Sequence, residues 1–182
     1  DGVPLSQVNL RKVRRRVGTV IAQDPVLFSG TLRRTLDPCN LHSDEDVSRA
    51  LDLVMPSSEK RATLTSRVET NGTNFSVGER QLLALARALL EKPRILVLDE
   101  ASSSLDDATD NRIQTILREL PELKETTVLC VAHRLRTIID FDLVAVMHQG
   151  KCVEIDTPHT LLSKNGGYFR ALVEATGPQA AA

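Results

Sequence analysis

The chain has 182 residues, 41% of them hydrophobic and 26% charged, which supports one domain with a substantial core and excludes a disordered or fibrous chain. Its formal net charge is −1, without the basic excess that nucleic acid or an anionic membrane surface would demand. The basic run from Arg11 to Arg16 reads as a solvated face.

In chain order, Val17 to Ala22 is a β-branched apolar run that predicts a strand, closed by Gln23-Asp24-Pro25. Thr31 to Leu36 predicts a short helix stopped by Asp37-Pro38. Ser43 caps a second helix over Asp44 to Val54, with Val47, Ala50, Leu51 and Val54 at helical spacing. Pro56 to Asn74 is polar and weakly patterned, and reads as loop and fragmentary helix. Ser76 to Lys92 predicts a helix with Leu82, Leu85, Ala86 and Leu89 on one face, ended before Pro93. Ile95 to Leu98 is continuously apolar, as a strand covered on both faces of a parallel sheet should be. Ala108 to Leu120 predicts a helix with Ile113, Ile116, Leu117 and Leu120 inward, and Thr127 to Ala132 another strand. Leu143 to Met147 and Lys151 to Ile155 flank Gln149-Gly150 as an antiparallel hairpin, and Thr157-Pro158 opens a last helical stretch. Strands alternating with helices define an α/β domain with a helix-rich insertion after the first strand.

Cys39, Cys130 and Cys152 are scattered and unpaired in pattern, and the four histidines show no ligand spacing. Neither a disulfide framework nor a zinc site is expected, a reducing cytosolic setting fits, and Cys130 and Cys152 read as buried small hydrophobes within apolar runs. No run approaches the roughly 18 apolar residues of a membrane span, and no signal-peptide pattern is present. Asp1 falls within what reads as a strand-to-turn segment, so a piece of a longer domain is expected.

Two segments carry chemistry. Ile95-Leu96-Val97-Leu98 delivers Asp99 and Glu100 to the carboxyl end of a strand, where open α/β sheets place ligands. Adjacent strand residues point to opposite sides, so one carboxylate can face a metal and the other a water beside it. Two neighbouring acids repel without a cation, which makes Mg²⁺ a natural partner; a solvated acidic turn is the plain alternative. In Phe75-Ser76-Val77-Gly78-Glu79-Arg80-Gln81, Ser76 and Glu79 form a capping box. The same helix start offers free N–H groups and a positive dipole end to a phosphate. The cap leaves Gly78 unexplained, because Gly costs a helix about 1 kcal/mol relative to Ala.

Gln23, then FSVGERQ, then a strand ending Asp99-Glu100, then Ser104-Leu105-Asp106, then Ala132-His133-Arg134 after a strand: this order resembles an ABC ATPase domain, with Q-loop, signature sequence, Walker B strand, D-loop and switch histidine. The segments QDPVLFSGTLRRTLDP and NFSVGERQLLALARALL are similar to the second nucleotide-binding domain of the C subfamily, the multidrug-resistance-associated full transporters. The resemblance spans about Asp1 to Val173. It implies a P-loop NTPase (RecA-like) α/β core with a helical subdomain over about residues 26–90, core over 91–173 and tail over 174–182, the N-terminal portion being absent. The implied cofactors are ATP and Mg²⁺. Asp99 would hold Mg²⁺, Glu100 would be the general base for the attacking water, and His133 would stabilise charge on the γ-phosphate. Gln23 would sense Mg²⁺ and the γ-phosphate and link the site to transmembrane domains. Ser76, Val77, Gly78 and Glu79 would contact ATP held by the other nucleotide-binding domain, and Asp106 would lie between the two domains. The implied protein is an ATP-hydrolysing exporter at the cytoplasmic face of a membrane, with no nucleic-acid partner.

Val77 stands where the family's commonest signature has Gly, and Glu79 where it has Gln, so Glu79 retains two readings, nucleotide contact and helix cap. GxxxxGK[ST], the Walker A loop, occurs nowhere in the 182 residues. Charge-assisted hydrogen bonds contribute about 1.5–3 kcal/mol each, so lacking three removes on the order of 6 kcal/mol, about four powers of ten in affinity. The chain alone is therefore expected to be inactive. The alternatives are a soluble, non-transport ABC ATPase, disfavoured by the exporter-like PVLFSGTLRRTLDP and the missing basic surface, and a non-functional truncated remnant. Transcript sequence upstream of Asp1 separates these: a GxxxxGK[ST] and membrane spans, or a nearby start codon.

Overall fold

The computed structural model describes residues 3–9, 18–55, 62–99, 107–131 and 138–175. They fall into two compact units, 1–131 and 132–182. The first unit forms β1 (Gly18–Ile21), β2 (Gly30–Thr31), α1 (Leu32–Leu36), α2 (Asp44–Val54), β3 (Arg67–Val68), α3 (Val77–Glu91), β4 (Ile95–Asp99), α4 (Asp107–Glu119) and β5 (Thr127–Val131).

Local chemistry explains the helix ends. The Thr31 hydroxyl caps α1 by accepting from Arg34 N–H, and Ser43 caps α2 by accepting from Asp46 N–H. Three acids in the first turn of α2 face the positive end of its dipole. Between these helices Asp37, 6% exposed, accepts from the N–H groups of Leu41 and His42 and from Arg33. Arg33 also donates to Asp44, Asn40 and the carbonyl of His42, so one guanidinium ties the α1–α2 turn together. In α3 the capping box is complete at Ser76 and Glu79, and the helix closes on Lys92 in the left-handed conformation (φ 45°) ahead of Pro93.

β1, β4 and β5 make a parallel sheet in the order β1-β4-β5, with Ile21 opposite Leu98 and Asp99 opposite Val131. Leu96 and Leu98 are buried against a core built from α2, α3 and α4. The other face departs from the expectation of a strand covered on both sides. Ile95 and Val97 are half-buried, and in the same row as Val97 stand Val20 and Leu129, 60% and 58% exposed. An apolar run reports that a strand can be covered on both sides; it does not report that a second layer is present.

The region from Pro56 to Asn74 also holds more than expected. Residues 56–61 lie outside the described residues, but β3 pairs antiparallel with β2, Gly30 opposite Val68 and Thr31 opposite Arg67. A two-residue strand leaves no period-2 signature, which is why the sequence reads as loop. The following turn places Asn71 and Gly72 at positive φ (58° and 69°). A side chain on Gly72 would sit 2.8 Å from Leu27 Cδ1 and 3.1 Å from Arg80 Cδ, so the turn packs directly onto both.

In the second unit β6 (Val144–His148) and β7 (Lys151–Asp156) form the expected hairpin across Gln149 and Gly150, both at positive φ, with a register shift between Val146 and Met147. Thr157 caps α5 (Pro158–Ser163), and α6 (Tyr168–Ala175) follows; Val146, Leu161 and Phe169 are the unit's buried core. Cys152 is exposed rather than buried. In a two-stranded hairpin only one face meets the core, and Cys152 is not on it. Cys130 is half-buried beneath the sheet.

Candidate functional site

The parallel register decides which side chains gather at one sheet edge. Because Ile21 pairs with Leu98, the chain leaves β1 at the level where β4 ends, and Gln23 emerges beside the strand that carries Asp99. Both residues are exposed. Asp99 lies opposite Val131, the last residue of β5, so three strand ends open at one rim. Glu100, Asp106 and His133 lie outside the described residues.

Behind Gln23 stands the first turn of α3. The Ser76 hydroxyl oxygen accepts from Glu79 N–H at 3.1 Å, and Glu79 Oε2 accepts from Ser76 N–H at 2.8 Å. Glu79 is therefore engaged by the cap. Ser76 keeps its own O–H to donate outward, and the side chain is exposed. Gly78 is buried, and here the structure supplies the reason that the cap does not. A Cβ at Gly78 would fall 2.8 Å from Thr109 Cγ2, 3.1 Å from Thr109 Oγ1 and 3.3 Å from Thr109 Cβ. Glycine at this position lets the start of α3 close onto α4.

The next two residues reach the other way. Arg80 donates through Nη2 to Asp24 Oδ1 at 2.8 Å and through Nη1 to the Phe75 carbonyl at 3.0 Å. Gln81, 1% exposed, donates through Nε2 to the main-chain carbonyl of Gln23 at 2.8 Å. Both lie within the FSVGERQ segment, but the sequence alone assigned neither a role. The signal was present: Gln81 shares the inward stripe of Leu85 and Leu89, where an amide is out of place unless it has a partner.

Among the described residues no three His, Cys, Asp or Glu side chains cluster as a metal site. Mg²⁺ at a phosphate site characteristically takes one or two carboxylates and leaves its other positions to water and phosphate oxygens. An exposed Asp99 carboxylate at a strand end, with the Gln23 segment beside it, offers such oxygen donors.

Next to Gln23 a cavity of about 300 Å³ is lined by Val20, Pro25, Val26, Phe28, Leu83 and Arg87 among others. Val26 and Phe28 are 63% and 57% exposed there. No helix among the described residues is long and apolar enough to cross a membrane.

A parallel α/β sheet with an acid-tipped strand and a capped, glycine-bearing helix start is compatible with an ABC-type ATPase domain, and the comparisons point to the same family. The ABC transporter family model matches residues 1–103. ABC transporter C family member 12 of Dictyostelium discoideum is 47% identical, over 98% of this chain and 14% of the relative's length. ATP-binding cassette sub-family C member 2 of Rattus norvegicus is 46% identical, over 96% of this chain and 11% of its own. The Saccharomyces cerevisiae oligomycin resistance ATP-dependent permease YOR1 is 41% identical, over 97% and 13%. The chain belongs to the ABC transporter family, alongside C-subfamily members, and spans about one seventh or less of the length of these relatives.

Proposed function

We propose that these residues form part of an ATP-hydrolysing domain that couples ATP turnover to transport across a membrane in the full-length protein. The single observation that carries this is the register that brings Gln23 and Asp99 to one rim of the sheet. Asp99 contributes a carboxylate to Mg²⁺ and Gln23 an amide beside it. Glu100, next along the chain, orients and deprotonates the attacking water, and His133 donates to the γ-phosphate as charge develops. Bound Mg²⁺ draws negative charge from the phosphates and makes them better targets for attack.

Ser76, with its outward hydroxyl, and the N–H groups of Val77 and Gly78 serve ATP carried by a second nucleotide-binding domain, with Asp106 at the junction between the two. Glu79 acts mainly as the cap. Residues 26–90 form the helical subdomain and 91–173 the core. The apolar cavity beside Gln23, with Val26 and Phe28 open to solvent, receives a segment of the transmembrane domains and so joins them to the site. The 182 residues contain no GxxxxGK[ST], so by themselves they do not hold ATP at micromolar concentration; calorimetric binding by the chain alone would contradict this.

The decisive experiment is Glu100→Gln in the full-length protein. Turnover should fall at least about 100-fold while ATP binding persists, the usual cost of removing a general base. Unchanged turnover would end the reading.

A further inference from the structure

Gln81 is a polar side chain in an apolar place. It is 1% exposed, and its neighbours Leu82, Leu83, Ala84, Leu85 and Ala86 are all buried. A leucine there would fill similar space with no polar group to satisfy. The amide makes one bond to the Gln23 carbonyl, at 2.8 Å, while its Oε1 accepts from no described residue. A half-satisfied buried amide weakens a core. Stability alone therefore does not account for it, and its one specific achievement is to hold the main chain at Gln23.

The neighbouring contacts act on the same segment. Arg80 reaches Asp24, 56 positions earlier in the chain, and its stem is pressed into place by the Gly72 turn, where a single added carbon would stand 3.1 Å from Arg80 Cδ. Gln81 and Arg80 thus grip two consecutive residues just past the end of β1. The side of α3 that holds them continues into the turn bearing Ser76 and Gly78.

We propose that Gln81, assisted by Arg80, is a positioning residue for Gln23: it clamps the main chain of residues 23–24 to the first turns of α3, so that the Gln23 amide and the helix start are presented to nucleotide as one rigid piece. This rests on the proposed role of Gln23 at the Mg²⁺-bound phosphate. Gln81 touches no nucleotide. Its effect runs through the Gln23 carbonyl it holds, and from there to the position of the Gln23 side-chain amide.

The test uses the full-length protein, with Gln81→Met (similar size, no donor), Gln23→Ala, the double variant, and Asp24→Asn. Asp24 is exposed, so its variant folds whether or not the core tolerates the change at Gln81. Turnover in Gln81→Met should drop about tenfold, in keeping with the sensitivity of such sites to ångström-scale misplacement, with ATP KM changed less than about twofold and more Mg²⁺ needed for half-maximal rate. Asp24→Asn should move turnover and Mg²⁺ demand the same way by less. The Gln23→Ala/Gln81→Met protein should be no slower than Gln23→Ala alone, because a clamp on an absent amide has nothing to position. Multiplying effects in the double variant would overturn the clamp while leaving the ATPase reading intact, as would Asp24→Asn behaving like wild type when Gln81→Met does not fold. Normal turnover in Gln23→Ala would overturn the clamp too; whether the site reading falls with it is decided separately by Glu100→Gln.

Discussion

Gly78→Ala tests whether the glycine in the signature segment is there for packing. Ala is the better helix former, and at the second position of α3 the substitution gains at most about 1 kcal/mol. Against this, the new methyl meets Thr109 Cγ2 at 2.8 Å, Oγ1 at 3.1 Å and Cβ at 3.3 Å. Rotating Thr109 about χ1 exchanges one close atom for another, and Cβ retreats only if the α4 backbone moves. The cost therefore lies near the upper end of overpacking, about 3 kcal/mol, leaving a net loss of about 2 kcal/mol. For a domain of this size that is a fall of about 4–8 °C in Tm. Differential scanning calorimetry should show this drop, and in a Thr109→Ala background the same Gly78→Ala change should cost much less, since two of the three close atoms are gone. An unchanged or raised Tm for Gly78→Ala would refute the packing argument. If stability is restored in the double variant while ATP turnover stays low, Gly78 serves the nucleotide as well as the helix contact.

Two further predictions concern titrating groups. Burial alone would raise the Asp37 carboxyl, but the N–H groups of His42 and Leu41 and the Arg33 guanidinium outweigh it and hold the carboxyl below its usual value. A lowered folded-state pKa means that its stabilisation is complete above about pH 4 and is lost as pH falls below that. Asp37→Asn should cost about 1–3 kcal/mol at pH 7 and flatten the acid limb of a stability–pH curve; an acid limb like wild type's would count against the Asp37 knot. Burial, with a smaller contribution from Asp110, pushes the Cys130 thiol up to about 11 from an ordinary 9.0. Its contribution is then complete below pH 9 and lost as pH rises toward about 11. At pH 7.5 maleimide should modify the exposed Cys39 and Cys152 well before Cys130, and equal rates would contradict this.

Helix starts were legible because their chemistry is local. Ser43 and Ser76 each lie within three residues of the N–H they cap, and the Val47–Val54 stripe repeats at the helical period, so spacing alone places them. The motif order from Gln23 to His133 was legible as a resemblance to a known family, and the comparisons bear out that family. The partners of the β2–β3 pair lie 36 or more positions apart in two-residue pieces, too short for any pattern to report. The exposed row of Val20 and Leu129 escaped notice because hydrophobicity measures what a strand can bury, not what lies against it.

What the sequence determined by itself was the longer helices and strands, the Ser43 and Ser76 caps and the chemistry of the acid-tipped strand, since each depends on residues a few positions apart. The parallel register that sets Gln23 beside Asp99 was decided only by tertiary structure, as were the Thr109 contact that requires Gly78 and the grip of Gln81 on the Gln23 carbonyl. Gln23 and Gln81 are separated by 58 positions, and a bond over that span exists only once β1 and α3 are packed into one core.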